Sequence, residues 1–219
     1  MSYLKDKAQA FFMARMGKTA SVIATEYIAN NLLAVTLQLP DALKWRSCQH
    51  LKFEVDKSNC RDYTVAAWNE TKQQATLLID IGHEGAGSNW ARQLQPGDTT
   101  LYVGPGGGFH QPTASTHLVC IGDASAVGHF TSLHSRKGAG QQLHTLICHH
   151  QPLPEQLLQM PVTTLLNYTS GVIEWLTKHE LPLQDTTFYV AGQVRLVVQT
   201  RKLLKQSGAS QIKPAGFWE

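Results

Sequence analysis

Two grammars of hydrophobic and polar positions divide this chain. Leu4, Ala8, Phe11, Phe12 and Met16 recur at helical spacing, so the opening segment reads as an amphipathic helix that stops near Gly17. From Thr19 to about Val103 the apolar residues come in short runs rich in β-branched and aromatic side chains, over 21–27, 33–39, 51–55, 63–68, 75–81 and 100–103. Polar or Gly/Pro breaks separate them, which predicts an antiparallel barrel or sandwich. One short helix is expected over 88–94, and Pro96-Gly97-Asp98 supplies the closing turn.

The run Gly104-Pro105-Gly106-Gly107-Gly108 is the sharpest break and reads as a linker, giving domains 1–110 and 111–219. Beyond Thr116 the pattern changes. An unbroken apolar run over 117–121 leads through Gly122-Asp123 into a helix reaching Ser132, and 143–148 and 162–166 repeat the buried-strand signature. A helix is expected over 171–179, and 186–190 passes through Ala191-Gly192 into a helix continuing to Gln206. Strands alternating with helices predict a parallel sheet with crossovers.

Bulk properties narrow the function by exclusion. Nineteen basic and 16 acidic residues give a net charge of +3, too balanced to suggest nucleic acid, and no Lys/Arg run is interleaved with aromatics. Cys48, Cys60, Cys120 and Cys148 are scattered, with none of the spacing that zinc or iron–sulfur sites need, and are expected as reduced, individually buried thiols. His144, His149 and His150 have no carboxylate at ligand spacing, so no metal site is expected. No signal peptide or membrane span is read, which predicts a cytoplasmic monomer. Hydrolase signatures are absent.

Three places carry candidate chemistry. In Arg61-Asp62-Tyr63-Thr64, strand alternation sends Arg61 and Tyr63 one way and Asp62 and Thr64 the other. The Arg fork suits a pyrophosphate, the Tyr ring a flat heterocycle and the Thr hydroxyl a ring nitrogen. Taken alone, the same four residues describe an ordinary strand with a surface Arg. In Gly85-Ala86-Gly87-Ser88, glycines let backbone amides approach phosphate oxygens at a helix N-terminus, and a plain loop with Ser88 as N-cap is the alternative. Gly122-Asp123-Ala124-Ser125-Ala126 and Ala191-Gly192-Gln193 are strand-to-helix turns, the place where an open α/β sheet binds its ligand, although neither is a G-x-G-x-x-G fingerprint and each taken singly reads as a tight βα connection.

Taken in order, these elements resemble the ferredoxin-NADP reductase superfamily and, within it, the siderophore-interacting FAD-binding reductases. The motifs that carry the resemblance are Arg61-Asp62-Tyr63-Thr64, His83 with Gly85-Ala86-Gly87-Ser88-Asn89-Trp90-Ala91, Pro96-Gly97-Asp98, Gly104-Pro105, Gly122 to Ala126, Ala191-Gly192-Gln193 and Gly216-Phe217-Trp218. The resemblance implies a six-stranded antiparallel FAD-binding barrel followed by a parallel-sheet domain for NAD(P)H. It implies that Arg61 binds the FAD pyrophosphate, Tyr63 packs on the isoalloxazine and Thr64, with Val65 beside it, meets the reactive edge. Tyr63 and Thr64 are the catalytic candidates.

The same resemblance implies that His83, Gly85, Ala86, Gly87, Ser88 and Trp90 complete the FAD site. Gly122, Asp123, Ala124, Ser125, Gly192 and Gln193 would border the nicotinamide pocket, and Phe217 or Trp218 would cover the other flavin face. The implied activity passes electrons from NAD(P)H through FAD to a ferric siderophore, with Lys52, Lys57, Arg46 and Lys213 as candidates for a basic mouth. The turn after His83 is two residues shorter than the family pattern and has Ala86 for its proline, which implies a reshaped FAD site. Gly-Asp-Ala-Ser-Ala-Val-Gly and Ala-Gly-Gln also lack the two acidic groups that the family places there. That change favours a rival in which ferredoxin or another carrier feeds the flavin; a non-catalytic flavin- or siderophore-binding protein is the other alternative.

Overall fold

The computed structural model describes residues 11–57, 59–108 and 110–219, which form two compact units, Met1–Phe109 and His110–Glu219. Of the expected opening helix, residues 11–16 are helical and the earlier part lies outside the described residues. Gly17 N–H donates to Met13 O at 2.7 Å. The buried face differs from the expected stripe: Met13 is buried, whereas Phe11 and Met16 are exposed.

The first unit is a closed antiparallel barrel. Its strands are β1 (Lys18–Ala29), β2 (Leu32–Gln38), β3 (Gln49–Asp56), β4 (Asn59–Asn69), β5 (Gln74–Asp80) and β6 (Thr99–Gly107), in the order β1-β2-β5-β4-β3-β6. Period-2 alternation places Leu51, Phe53 and Val55 of β3 inside, with Val35, Leu37, Leu77, Ile79 and Tyr102. The helix α1 (Ala86–Gln93) lies between β5 and β6. The turn at Pro96-Gly97-Asp98 is tied to β1, since Gly97 N–H donates to Val22 O at 2.9 Å and Val22 N–H to Asp98 O at 2.8 Å.

The glycine run is not a linker. Gly104 to Gly107 belong to β6, where Gly106 pairs with His50 and Gly107 with Gln49 on β3. A run without side chains gives composition no period to read, yet its backbone hydrogen bonds as a strand.

The second unit is a five-stranded parallel sheet, ordered β11-β8-β7-β12-β13. Its strands are β7 (His117–Asp123), β8 (Gln142–Cys148), β11 (Thr163–Leu165), β12 (Thr186–Gln193) and β13 (Ile212–Trp218). Helices α2 (Val127–His134), α3 (Tyr168–His179) and α4 (Val194–Gln206) make three of the crossovers. The fourth, from β8 to β11, carries instead a hairpin of β9 (Gln156–Leu157) and β10 (Met160–Pro161). Its turn residues Leu158 and Gln159 both have positive φ, 46° and 69°. This is the twist a two-residue hairpin needs, achieved without Asn-Gly. Leu157 and Met160 of the hairpin are buried.

Val119, Ile121, Leu146, Phe188 and Val190 form the sheet core, packed by Val172 and Trp175 of α3 and Val197 and Leu204 of α4. All four cysteines are free; Cys48 and Cys120 are buried, but Cys60 and Cys148 are only half-buried, contrary to the uniform burial expected. No helix among the described residues is long and apolar enough to cross a membrane.

Candidate functional site

On β4 the strand alternation separates the four-residue signature into two faces. Arg61, Tyr63 and Val65 share the side that faces α1 and the core, and Tyr63 stacks on Trp90 with ring centroids 5.7 Å apart and planes 14° from parallel. Phe53 flanks the same pair at 6.1 Å from Tyr63 and 5.5 Å from Trp90. Burial pushes the Tyr63 phenol up to about 12, against the opposing pull of Arg61, so the hydroxyl remains a neutral donor. Val65 is completely buried in the core, which leaves its backbone to face a ligand.

Arg61 and Tyr63 converge on the start of α1. A Cβ built on Gly87 would collide with the Tyr63 hydroxyl and lie 3.1 Å from Arg61 Cγ. The signature on β4 and the glycine turn, distant in sequence, therefore meet at one point. Gly85 is the N-cap, in an extended conformation, and no acidic residue lies in the first turn of α1. The leading amides of a helix have no intrahelical acceptors and carry its positive dipole end, so this corner suits an anion.

Ser88 is inside the helix rather than at its cap. It is buried, its hydroxyl donates to Asp80 O at 3.3 Å, and it lies 3.1 Å from His83 Nε2. His83 Nδ1 in turn is 3.7 Å from Asp80 Oδ2. Ser88 and His83 thus shape the turn by bonding each other, and Ser88 contributes its backbone, not its hydroxyl, to the corner. Arg92, which sequence reasoning missed, clasps the same turn: it donates to Ile81 O at 2.6 Å, His83 O at 3.0 Å and Asn89 Oδ1 at 2.6 Å. An Arg near a helix end reads as an ordinary surface charge.

Thr64 is half-buried on the outer face, directly across the ladder from His50. Asp62, on the same face, pairs with Lys52 Nζ at 2.8 Å.

In the second unit, the two strand-to-helix turns lie side by side because β7 and β12 are neighbours, with Ala191 opposite Gly122. Asp123 bridges them. Its Oδ1 accepts the Ser125 N–H at 2.9 Å and the Ser125 hydroxyl, and its Oδ2 accepts the Gln193 N–H at 2.7 Å. Gly192 has φ of +121°, and a Cβ there would lie 2.5 Å from Asp123 Oδ2, so this position requires glycine. Both oxygens of Asp123 are engaged by the protein, and Ala124 is buried.

Trp218 Nε1 donates to Ser125 Oγ at 3.1 Å, which extends the bridge to β13. Phe217 meets His129 edge-on at 5.3 Å, and His129 Nε2 lies 2.8 Å from His110 Nδ1. Burial, reinforced by Lys213, holds His110 down at about 4, so His110 stays neutral near pH 7. A hollow of about 460 Å³ beside α3, lined by Asn167, Ser170, Glu174, Trp175 and Lys178, was not anticipated from sequence. Among the described residues no group of three or more His, Cys, Asp or Glu side chains is placed to hold a metal ion.

Comparison with known proteins agrees with this geometry. Residues 32–109 match the family model described as the siderophore-interacting FAD-binding domain, which is the resemblance read from the sequence. The siderophore-interacting protein of Acinetobacter baumannii superposes with a TM-score of 0.75 at 16% identity, covering 92% of this chain and 90% of that one. That of Aeromonas hydrophila gives 0.75 at 17%, covering 93% and 98%. The ferredoxin reductase of carbazole 1,9a-dioxygenase gives 0.78 at 19%, covering 92% and 67%. At these identities the structural neighbours establish the fold, a ferredoxin reductase-like barrel and parallel sheet. No curated protein matches the chain.

Proposed function

We propose that this chain is an FAD-dependent reductase that passes electrons from NAD(P)H to a ferric siderophore and releases the iron as Fe(II). The observation that carries the reading is the meeting of Arg61 and Tyr63 with Gly87 at an anion-favouring helix start, inside a segment matched by the FAD-binding family model. The donor set fits FAD: amides at 85–88 and the Arg61 fork for the pyrophosphate, the Tyr63 ring for the isoalloxazine and the Thr64 hydroxyl for its edge.

Bound FAD supplies the means to accept an electron pair as hydride and release electrons singly, matching a two-electron donor to Fe(III). The chain's own residues do the positioning. Gly87 admits the Tyr63 hydroxyl, Trp90 backs the Tyr63 ring, and Ser88 with His83 and Arg92 hold the turn whose amides would face phosphate. Gly122, Asp123, Gly192 and Gln193 border the nicotinamide pocket in this reading, with Asp123 fixing the two turns against each other. Hard oxygen chelators hold Fe(III) far more tightly than Fe(II), so reduction of the substrate is the release step.

A carrier-fed version of the same reductase has one observation in its favour. Asp123 is satisfied by Ser125 and Gln193, so the turn offers no carboxylate to a nicotinamide. Anaerobic spectroscopy separates the readings. Purified protein should show flavin bands, lose them with NADH or NADPH and regain them with a ferric chelate. Flavin that neither nicotinamide bleaches, but reduced ferredoxin does, leaves the carrier-fed version. A colourless protein that refuses added FAD overturns both.

A further inference from the structure

We infer that His50 is a further functional residue of the barrel, an ionisable positioning group that sets the charge at the Thr64 edge; the inference rests on the flavin reading above. His50 and Thr64 are direct cross-strand partners, so their side chains share the outer face of the barrel. The imidazole has a place made for it. A Cβ on Gly106 would lie 2.9 Å from His50 Nε2, and one on Gly107 would lie 2.7 Å from Nδ1. Glycine weakens a strand by roughly 0.5–1 kcal/mol relative to alanine, so consecutive glycines in β6 oppose the barrel's own stability. Gly107 also has φ of +71°, which suits glycine in its own right, and Gly106 leaves the ring its room.

The charged groups around the ring are few. Its Nε2 is 3.8 Å from Asp62 Oδ1 on β4, and the same carboxylate oxygen takes Lys52 Nζ of β3 at 2.8 Å. From β6, Gly106 and Gly107 lie against the ring and bring no charge. With a neutral imidazole, Lys52 and Asp62 cancel. Protonation of His50 leaves one net positive charge beside Thr64, on a face where His50 and Asp62 side chains are 33% and 45% exposed. Two-electron reduction at an electrode, with one proton taken from water, adds one negative charge to the flavin. An imidazolium at that edge favours the reduced form.

The test compares wild-type protein with His50→Gln and Asp62→Asn by spectroelectrochemistry of the FAD-loaded full chain, over about pH 5 to 8, where imidazoles titrate. The wild-type midpoint potential should exceed that of His50→Gln at the acid end, and the difference should vanish at the alkaline end. In Asp62→Asn the potential should exceed that of His50→Gln at every pH, because Lys52 is left without its cancelling charge. Equal potentials for wild type and His50→Gln at every pH overturn the inference. Wild-type protein that takes up no FAD overturns the flavin reading itself, whereas FAD-loaded protein whose potential ignores His50→Gln overturns this inference alone.

Discussion

The Tyr63 hydroxyl lies against the α-carbon of Gly87, in the space a side chain would occupy. This contact joins a strand signature to a helix start, and each explains the other's composition. Tyr63 can stack on Trp90 only if its hydroxyl end has somewhere to go.

Gly87→Ala should therefore move Tyr63. The added methyl meets the hydroxyl and Arg61 Cγ together, so relief requires both side chains to shift. Overpacking of this kind costs about 1–3 kcal/mol. The expected result is a lower urea midpoint and an FAD affinity reduced by roughly tenfold or more, at about 1.4 kcal/mol per tenfold. Wild-type affinity in a folded Gly87→Ala protein would show that the contact does not shape the flavin corner.

Asp123→Asn tests the bridge in the second unit. The amide has the shape of the carboxylate but only one acceptor oxygen, so it cannot serve Ser125 and Gln193 together. An amide N–H of the backbone is then left unpaired, at a cost of about 1–3 kcal/mol. Denaturant unfolding should show that loss. Trp218 emission should change with it, because the Trp218 indole bonds Ser125. An unchanged midpoint would mean the bridge contributes no stability.

Strand and turn patterns were legible where side chains alternate and opaque where they do not. Leu51, Phe53 and Val55 announce β3 because every second residue enters the core. β13 gives no such signal: Phe217 and Trp218 are exposed and no alternate residue of the strand is buried, so it read only as a terminal Gly-Phe-Trp element. Gly104 to Gly107 misled for the opposite reason, since glycine marks breaks by frequency, whereas here Gly106 and Gly107 leave room for His50. The faces of Arg61, Tyr63 and Thr64 followed from strand alternation. The roles of Ser88, Arg92 and Asp123 did not, because hydrogen-bond partners that are distant in sequence leave no local trace.

The buried His110–His129 pair gives the second unit a pH dependence of determinate sign. His110 is held near 4 in the folded chain, chiefly by burial, against an ordinary value of 6.5. Between those values the unfolded chain binds a proton that the folded chain refuses, so stability falls as pH drops from about 6.5 towards 4. The full difference corresponds to about 3 kcal/mol at 1.36 kcal/mol per unit. His110→Phe should remove most of that slope in urea titrations across this range. An identical slope in wild type and variant would show that other groups carry it.

Arg92→Leu removes the clasp on the turn without touching the residues at the corner. Its guanidinium satisfies the carbonyls of Ile81 and His83 and the Asn89 side chain, so the backbone path from β5 to Gly85 loses two bonds and its tie to α1 a third. Charged hydrogen bonds of this kind contribute about 1.5–3 kcal/mol each when buried and less at a site like this one, where a third of the side chain is exposed. The main consequence should be looseness at the turn rather than global unfolding. Amide exchange at residues 82–88 should quicken, and FAD affinity should fall while the thermal midpoint moves by only a few degrees. Exchange rates at these amides equal to wild type would show that α1 holds its own N-terminus in register, and that Ser88 with His83 suffices to fix it.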